Sequence, residues 1–365
     1  MKNTVAFVLI TLFSGLAATA QTKVFFEQLT KQGEMYYHNG SPFTGSSVLK
    51  HANNKTWQRV EWKNGKIDGW FKSYYENGMQ DKQVQYTNGV RNGSYHAWFD
   101  NGNDEVVCTY VNGKLDGLFT EYYKRGVKKR AVTYKLGKKD GPMKLWFSNG
   151  KLEQEAFFVE GQPHGRVISY TQIGTKRKVV SYKYGVVHGT STIYHSSGNI
   201  GEEAEYKDGF LDGTKIVYDP QGNKLTEQNY VKGKLDGTSY KYEPPVGNSP
   251  VGYKIEEANY KAGKLHGEYI RWANQKIDTR GAYINGQKTG EWFENASVEG
   301  MKSSGSYENG KKHGPWVIGH SRLFGKQVGS FHNGLKDGKW TVYNHQNKKI
   351  RIENWDKGTL IDVVE

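Results

Sequence analysis

The chain keeps a 24-residue beat. Trp62, Tyr86, Tyr110, Tyr134, Phe158, Tyr182, Tyr206 and Tyr230 stand 24 residues apart, each followed three positions later by glycine. The series resumes at Tyr260 and runs through Tyr283, Tyr307, Phe331 and Trp355, with Tyr37 a degenerate first member. A fixed period of this size marks a repeat array, whose units bury their faces only against neighbours. Such a chain is a scaffold unless something that breaks the repeat argues otherwise.

With the aromatic as position 0, the segment after it reads Asn64-Gly65-Lys66-Ile67-Asp68-Gly69 or Asn112-Gly113-Lys114-Leu115-Asp116-Gly117. Glycine supplies backbone angles closed to other residues, and Asn and Asp favour turns. A second turn falls near +15 and +16, at Asn77-Gly78, Asn101-Gly102 and Asn149-Gly150. Asn-Gly between strand-like residues signals a two-residue hairpin. Each repeat is therefore two short antiparallel strands, and no helical period follows residue 20. The expected fold is all-β: an elongated single-domain array of about 13 antiparallel β-hairpins in a solenoid-like twisted sheet.

A two-residue turn pairs +14 with +17 and sets +9 opposite the next −2. Cross-strand partners share a face, as do alternate residues. Positions 0, −2, +9 and +13 then form the packed face. Position +9 holds Phe71, Tyr95, Phe119, Met143, Tyr269, Trp292, Trp316 and Trp340, while −1 is mostly polar. Cys108, the only cysteine, falls at −2 among Val and Ala, which suits a small packed residue. Position +12 belongs to the other face yet is aromatic in Tyr74, Trp98, Tyr122, Trp146, Tyr170, Tyr194, Tyr218, Tyr242 and Trp272. Two readings stay open for this row: packing after a bulge swings it inward, or an exposed ladder of binding residues.

Residues 1–20 read as an export signal. Lys2 precedes an apolar stretch from Val5 to Leu16, and Ala18-Thr19-Ala20 offers a cleavage site before Gln21. Export, to the periplasm, the cell surface or the medium, is the expected localisation, with no transmembrane segment in the mature chain. The spacing of 30 between Tyr230 and Tyr260, with Glu243-Pro244-Pro245 inside it, divides the rest. The expected organisation is a first array over 21–242, a Pro/Gly-rich insert over 243–252 and a second array over 253–365.

The aromatic-x-Asn-Gly-Lys-x-Asp/His-Gly segments, as in Trp62 to Gly69 and Tyr260 to Gly267, resemble the membrane occupation and recognition nexus (MORN) repeat, in its bacterial variant. The resemblance covers roughly residues 35–360. The chain departs from the eukaryotic-type pattern in lacking a tyrosine at −4 and, except at Gly281, Gly305 and Gly329, a glycine at −2. The resemblance implies a stack of hairpins with a binding or organising role, and some bacterial relatives carry an antitoxin label.

Chemistry is sparse. The +6 row alternates Asp and His (Asp68, Asp116, Asp140, His164, His188, Asp212, Asp236, His266, His313 and Asp337). Zinc ligands all lie within ~2.3 Å of one ion, whereas equivalent side chains of successive hairpins stand ~10 Å apart. Turn hydrogen bonds explain the row instead. No nucleophile elbow, phosphate loop or zinc-peptidase motif occurs, so no catalytic residue, metal or cofactor is expected. The net charge of +14 is spread over lysines at +4 and +5, such as Lys66, Lys114, Lys138, Lys139, Lys234, Lys264, Lys311, Lys312 and Lys336. They are expected to line one edge, which aids solubility or attracts anionic surfaces. The first expectation is therefore a non-enzymatic exported scaffold that binds a protein partner. Alternatives are an envelope glycan or anionic surface met by the +12 ladder and lysine edge, and an immunity-like protein that neutralises a toxin. Nucleic acid is not an expected partner.

Overall fold

The structure, a computed structural model, describes residues 21–245, 252–296, 301–320 and 325–365. The expected export signal and the tip of the insert lie outside them. The chain divides into two compact units, residues up to Lys139 and from Asp140 onward.

In the first unit a small three-stranded sheet, Thr30–Gln32, Met35–His38 and Ser41–Pro42, carries the degenerate Tyr37. Lys23–Phe25 runs parallel to Gly45–Lys50. From there each strand pairs antiparallel with its sequence neighbour: Thr56–Lys63, Lys66–Tyr74, Gln80–Thr87, Val90–Trp98 and Asp104–Val111. Leu29, Phe43, Val60 and Trp62 are buried together at the start of this meander, and the Tyr36 ring lies 4.7 Å from that of Trp62. The second unit is the same kind of meander, ending on Thr359–Val364, which pairs with Lys349–Asp356. Neither unit's sheet is closed by the described strands.

The two turns of each repeat differ in kind. At +2 and +3 both residues are left-handed, as Asn64 (φ 50) and Gly65 (φ 78) or Asn88 (φ 49) and Gly89 (φ 83). Positive φ at both central residues defines a type I′ hairpin turn, whose twist matches the strands it joins. The Asn-Gly at +15 and +16 is not the two-residue turn its sequence suggests. Tyr75 N–H donates to Met79 O at 2.8 Å, and Gly78 N–H donates to Tyr75 O at 2.8 Å. This is a three-residue loop closed by a glycine at φ 94, so +13 rather than +14 pairs with +17.

The expected register nevertheless holds. The strand leaving the loop carries one extra residue, Asp81, so the pairing shifts between Tyr74↔Gln80 and Ser73↔Lys82. This bulge cancels the displacement made by the loop and sets Phe71 opposite Val84. The same partnership of +9 with the next −2 joins Tyr95 to Cys108 and Trp316 to Gly329. Where the spacing falls to 23, between Tyr260 and Tyr283, a two-residue turn at Asn274 and Gln275 (φ 49 and 61) replaces the loop. Around the insert, Tyr242↔Lys254 and Glu243↔Tyr253 extend the pairing to its base.

Position −2 is the most consistently buried of the repeat, through Val60, Val84, Cys108, Val132, Ala156, Val180, Ala204 and Ala258. Burial pushes the Cys108 thiol up to about 11, so at neutral pH it is a packed, protonated group. The polar residue at −1 has a backbone task. The glycine at +7 opens a bulge opposite it, and the −1 side chain satisfies the exposed peptide groups. Glu61 and Gln85 accept from Trp70 N–H and Ser94 N–H, and the Asn229 and Asn259 amides donate to the Thr238 and Glu268 carbonyls.

Candidate functional site

The nine aromatics at +12 are all half-buried. Their bulge lies on the partner strand, so +12 stays in alternation with +10 and +8, on the face opposite −2 and +9. Side-chain contacts agree. The Tyr170 and Tyr218 hydroxyls donate to Glu155 (2.6 Å) and Glu203 (3.2 Å), both at −3. His96 at +10 stacks on Trp98 at 3.8 Å, and Tyr240 at +10 lies 6.3 Å from Tyr242. In the second unit the Lys254 ammonium sits 5.8 Å over the Trp272 ring. The row is thus neither swung into the −2/+9 face nor bare: its rings are half-buried, and those of Trp98, Tyr170, Tyr218 and Trp272 lie against polar or charged side chains. A further member, Tyr343, is also half-buried, and counting twelve from Phe331 would have found it.

Position +6 does turn chemistry across repeats. Asp68, Asp116, Asp212 and Asp236 accept the backbone N–H at +2 of the following repeat, from Asn88, Leu136, Lys232 and Ala262, at 2.9–3.1 Å. The glycine after each of those residues donates to the carbonyl at +5 of the preceding repeat, as Gly89 to Ile67 and Gly233 to Leu211. The turn held twice by its neighbour tolerates Leu136 in left-handed conformation, and the same position is left-handed at Glu160 and Tyr184. Among the described residues no three His, Cys, Asp or Glu side chains gather as metal ligands.

Three repeats near the C-terminal end are built differently. Gly281, Gly305 and Gly329 occupy −2, and Trp292, Trp316 and Trp340 occupy +9 at 2, 1 and 0% exposure. A Cβ on Gly305 would stand 2.3 Å from the Trp316 ring. Each indole lies in the place of the missing side chain and donates to the −1 carbonyl, as Trp316 to Ser306 at 2.9 Å. Tyr283, Trp292, Tyr307, Trp316, Phe331 and Trp340 form an edge-to-face column with centroids 5.0–5.9 Å apart. The lysines at +5 cover it: Lys288, Lys312 and Lys336 stand 4.1, 4.2 and 4.4 Å from the three indoles. Burial holds the Lys312 and Lys336 ammonium groups below the usual lysine range. Lys312 and Lys336 thus depart from the expected edge stripe, whereas Lys114, Lys234 and Lys264 at +4 are exposed.

Beneath this column, on the −1, −3, +8 and +10 face, a trench of about 920 Å³ crosses the same repeats. Phe293, Pro315, Val317 and Val328 give it apolar walls, and Ser304 and Ser306 stand where most upstream repeats carry larger side chains, such as Glu155 at −3 and Gln85 at −1. Arg280 and Glu268 pair at 3.0 Å along it, and Glu291 is exposed.

An open array of antiparallel hairpins joined by repeat-to-repeat polar ladders defines a β-hairpin repeat protein. Part of the chain is similar to a known repeat: residues 139–160 and 187–208 match the family described as MORN repeat variant. Each matched stretch runs from +5 through the three-residue loop to the following +2, one hairpin of the array. No curated protein matches the chain. Solved structures that match include the crystal structure of TcdB2-TccC3 without hypervariable C-terminal region, 10% identical over 89% of this chain and 20% of that one, with a TM-score of 0.17. They also include TcdB2-TccC3-TEV and TcdB2-TccC3-Cdc42, each 8% identical over 88% of this chain and 24% of theirs, with TM-scores of 0.13 and 0.12. The chain spans a quarter or less of these proteins, and at such TM-scores the likeness carries no argument about fold or function.

Proposed function

We propose that the chain is an exported scaffold that binds a protein partner through the +12 face of its hairpins. The observation that carries this reading is the row of half-buried aromatics set among opposite charges, with Tyr170 on Glu155 and Trp272 under Lys254. Rings that offer one apolar side beside satisfied polar groups suit protein interfaces, where Tyr and Trp dominate the binding energy. In the second unit the trench opens on the same face. An immunity-like role, with a toxin as the partner, is one form of this function.

The test is affinity capture from the native envelope with the chain lacking residues 1–20, then repetition with Trp98→Ala and Trp146→Ala together. A partner held by the parent and lost from the variant supports the ladder; equal retention sinks it. Export itself is checked by the N-terminal sequence of the protein recovered from the envelope, expected to begin at Gln21.

One observation favours a second reading, an anionic surface. Lys176, Arg177 and Lys178 are consecutive and exposed, and Lys176 pairs directly opposite Tyr170. Retention on an anionic envelope polymer that weakens steeply with salt would favour it, since exposed charges are screened beyond ~10 Å at 0.1 M.

A further inference from the structure

The repeat is rich in Asn-Gly, the dipeptide most prone to spontaneous deamidation, because the glycine that follows leaves the asparagine amide open to its backbone nitrogen. The reaction is a covalent rearrangement with a fixed balance. The glycine nitrogen loses its proton and bonds to the asparagine Cγ, and the side-chain nitrogen leaves as ammonia. Water then opens the succinimide at either carbonyl, giving aspartate or isoaspartate. A glycine N–H already donating to a carbonyl is held back from the first step: it must break that bond before it can ionise and turn.

The array supplies that restraint almost everywhere. At the type I′ turns Gly65, Gly89, Gly113, Gly286, Gly310 and Gly334 donate to a carbonyl of the preceding hairpin at 2.7–3.0 Å. At the three-residue loops Gly78, Gly102 and Gly150 donate within the loop, to Tyr75, Phe99 and Phe147. The asparagines there are also tied, since Asn77, Asn101 and Asn149 donate from Nδ2 to Asp100, Lys124 and Gln172 carbonyls. Asn92-Gly93 lies inside the strand Val90–Trp98, with Gly93 paired to Tyr110.

Asn39-Gly40 differs. It has the same type I′ geometry, with φ 50 and 81, between His38 and Ser41. No preceding 24-residue repeat among the described residues offers it the carbonyl and +6 acceptor that later turns receive. Both residues are exposed, and a Cβ on Gly40 would meet nothing within 4 Å. We infer that Asn39 is the deamidation site of this protein, a modification that places a negative charge, and in the isoaspartyl form an extra backbone methylene, in the hairpin that seats Tyr36 on Trp62.

The test is ageing of the folded full chain at 37 °C in mildly alkaline buffer, followed by proteolytic mapping with mass spectrometry that separates aspartyl from isoaspartyl peptides. Ageing in 18O water marks conversions that occur during the incubation, because the water that opens the succinimide leaves its oxygen in the product. Asn39 is expected to convert about tenfold faster than Asn64, Asn88 or Asn112, the rate equivalent of about one net hydrogen bond. In denaturant the four rates are expected to converge. Comparable rates in the folded chain, or an intact Asn39, overturn the inference. So does an Asn39 lead that persists undiminished in denaturant, because its cause would then be neighbouring sequence rather than the missing hydrogen bond.

Discussion

The repeats from Trp62 to Tyr230 and those from Tyr283 to Phe331 solve one packing problem in opposite ways. Upstream, a side chain at −2 is buried in seven repeats, through Val60, Val84, Cys108, Val132, Ala156, Val180 and Ala204, and the +9 residue pairs with it, as Phe71 with Val84; the −1 side chains of Glu61 and Gln85 cover the bulge opposite glycine +7. Downstream, −2 is glycine, +9 is tryptophan, and the pairing shift moves one residue earlier, between Arg280↔Phe293 and Ala282↔Thr289 rather than between Val60↔Phe71 and Trp62↔Ile67. The bulge now falls on the glycine itself, and the indole fills it. Relieved of the covering task, −1 shrinks to Ala282, Ser306 and Ser330, and the trench opens on the far face. The difference teaches that the beat fixes where the slot is, not what fills it.

The largest expected effect comes from emptying the downstream slot. Trp316→Ala removes a side chain at 1% exposure that packs against Tyr307 and Phe331 and covers Gly305. Loss of a buried tryptophan costs about 3–5 kcal/mol. In a repeat array the loss concentrates in that repeat and its neighbours. Hydrogen exchange is therefore expected to accelerate over 301–343 and to leave the first unit unchanged; uniform acceleration would refute the local picture.

A smaller effect follows from filling the slot twice. Gly305→Val puts a Cβ where the Trp316 ring lies, 2.3 Å away, and overpacking of this kind costs about 1–3 kcal/mol. Adding Trp316→Phe recreates the upstream combination of valine and phenylalanine. The double variant is expected to melt above Gly305→Val alone, a coupling that a double-mutant cycle measures. Additive losses would mean that the two architectures cannot be interchanged one repeat at a time.

Smaller again is the −1 substitution that the comparison singles out. Gln85→Ser leaves Ser94 N–H without its acceptor and should cost about 1 kcal/mol, read as faster exchange of that amide. The reverse change, Ser306→Gln, enters the open trench and is expected to leave the melting temperature unchanged.

Much of this was legible in the residues. The aromatic at 0 and the glycines gave the hairpin order, and alternation gave the partnership of +9 with −2. The register follows from the residues although the turn at +15 and +16 is not the one they suggest, because the three-residue loop and the Asp81 bulge shift the pairing by one in opposite senses. Two compensating local irregularities leave no trace in a periodic pattern. The link between Gly305 and Trp316 was visible as two substitutions in one repeat, but not its meaning: a bulge position is a property of pairing, and pairing is written in neither residue alone. The +12 row was seen, but its face was not settled, because that depends on which strand carries the bulge.

Upstream and downstream also part at the tyrosine–carboxylate pairs of the +12 face. Position −3 is Glu155 under Tyr170 and Glu203 under Tyr218, whereas downstream it is Arg280, Ser304 and Val328. Burial first, and then the hydrogen bond to Glu155 and its charge, push the Tyr170 phenol up from 10.0 to about 12. A folded-state value above the unfolded one stabilises the fold fully below pH 10, and this contribution is lost as pH rises through about 12. Tyr170 should therefore ionise late in an alkaline absorbance titration of the folded chain. Glu155→Gln removes the charge and keeps an acceptor, so the Tyr170 midpoint is expected to fall towards 10.0 without reaching it, because burial remains. An unchanged midpoint would mean that the carboxylate contributes nothing and that the upstream face differs from the downstream one in packing alone.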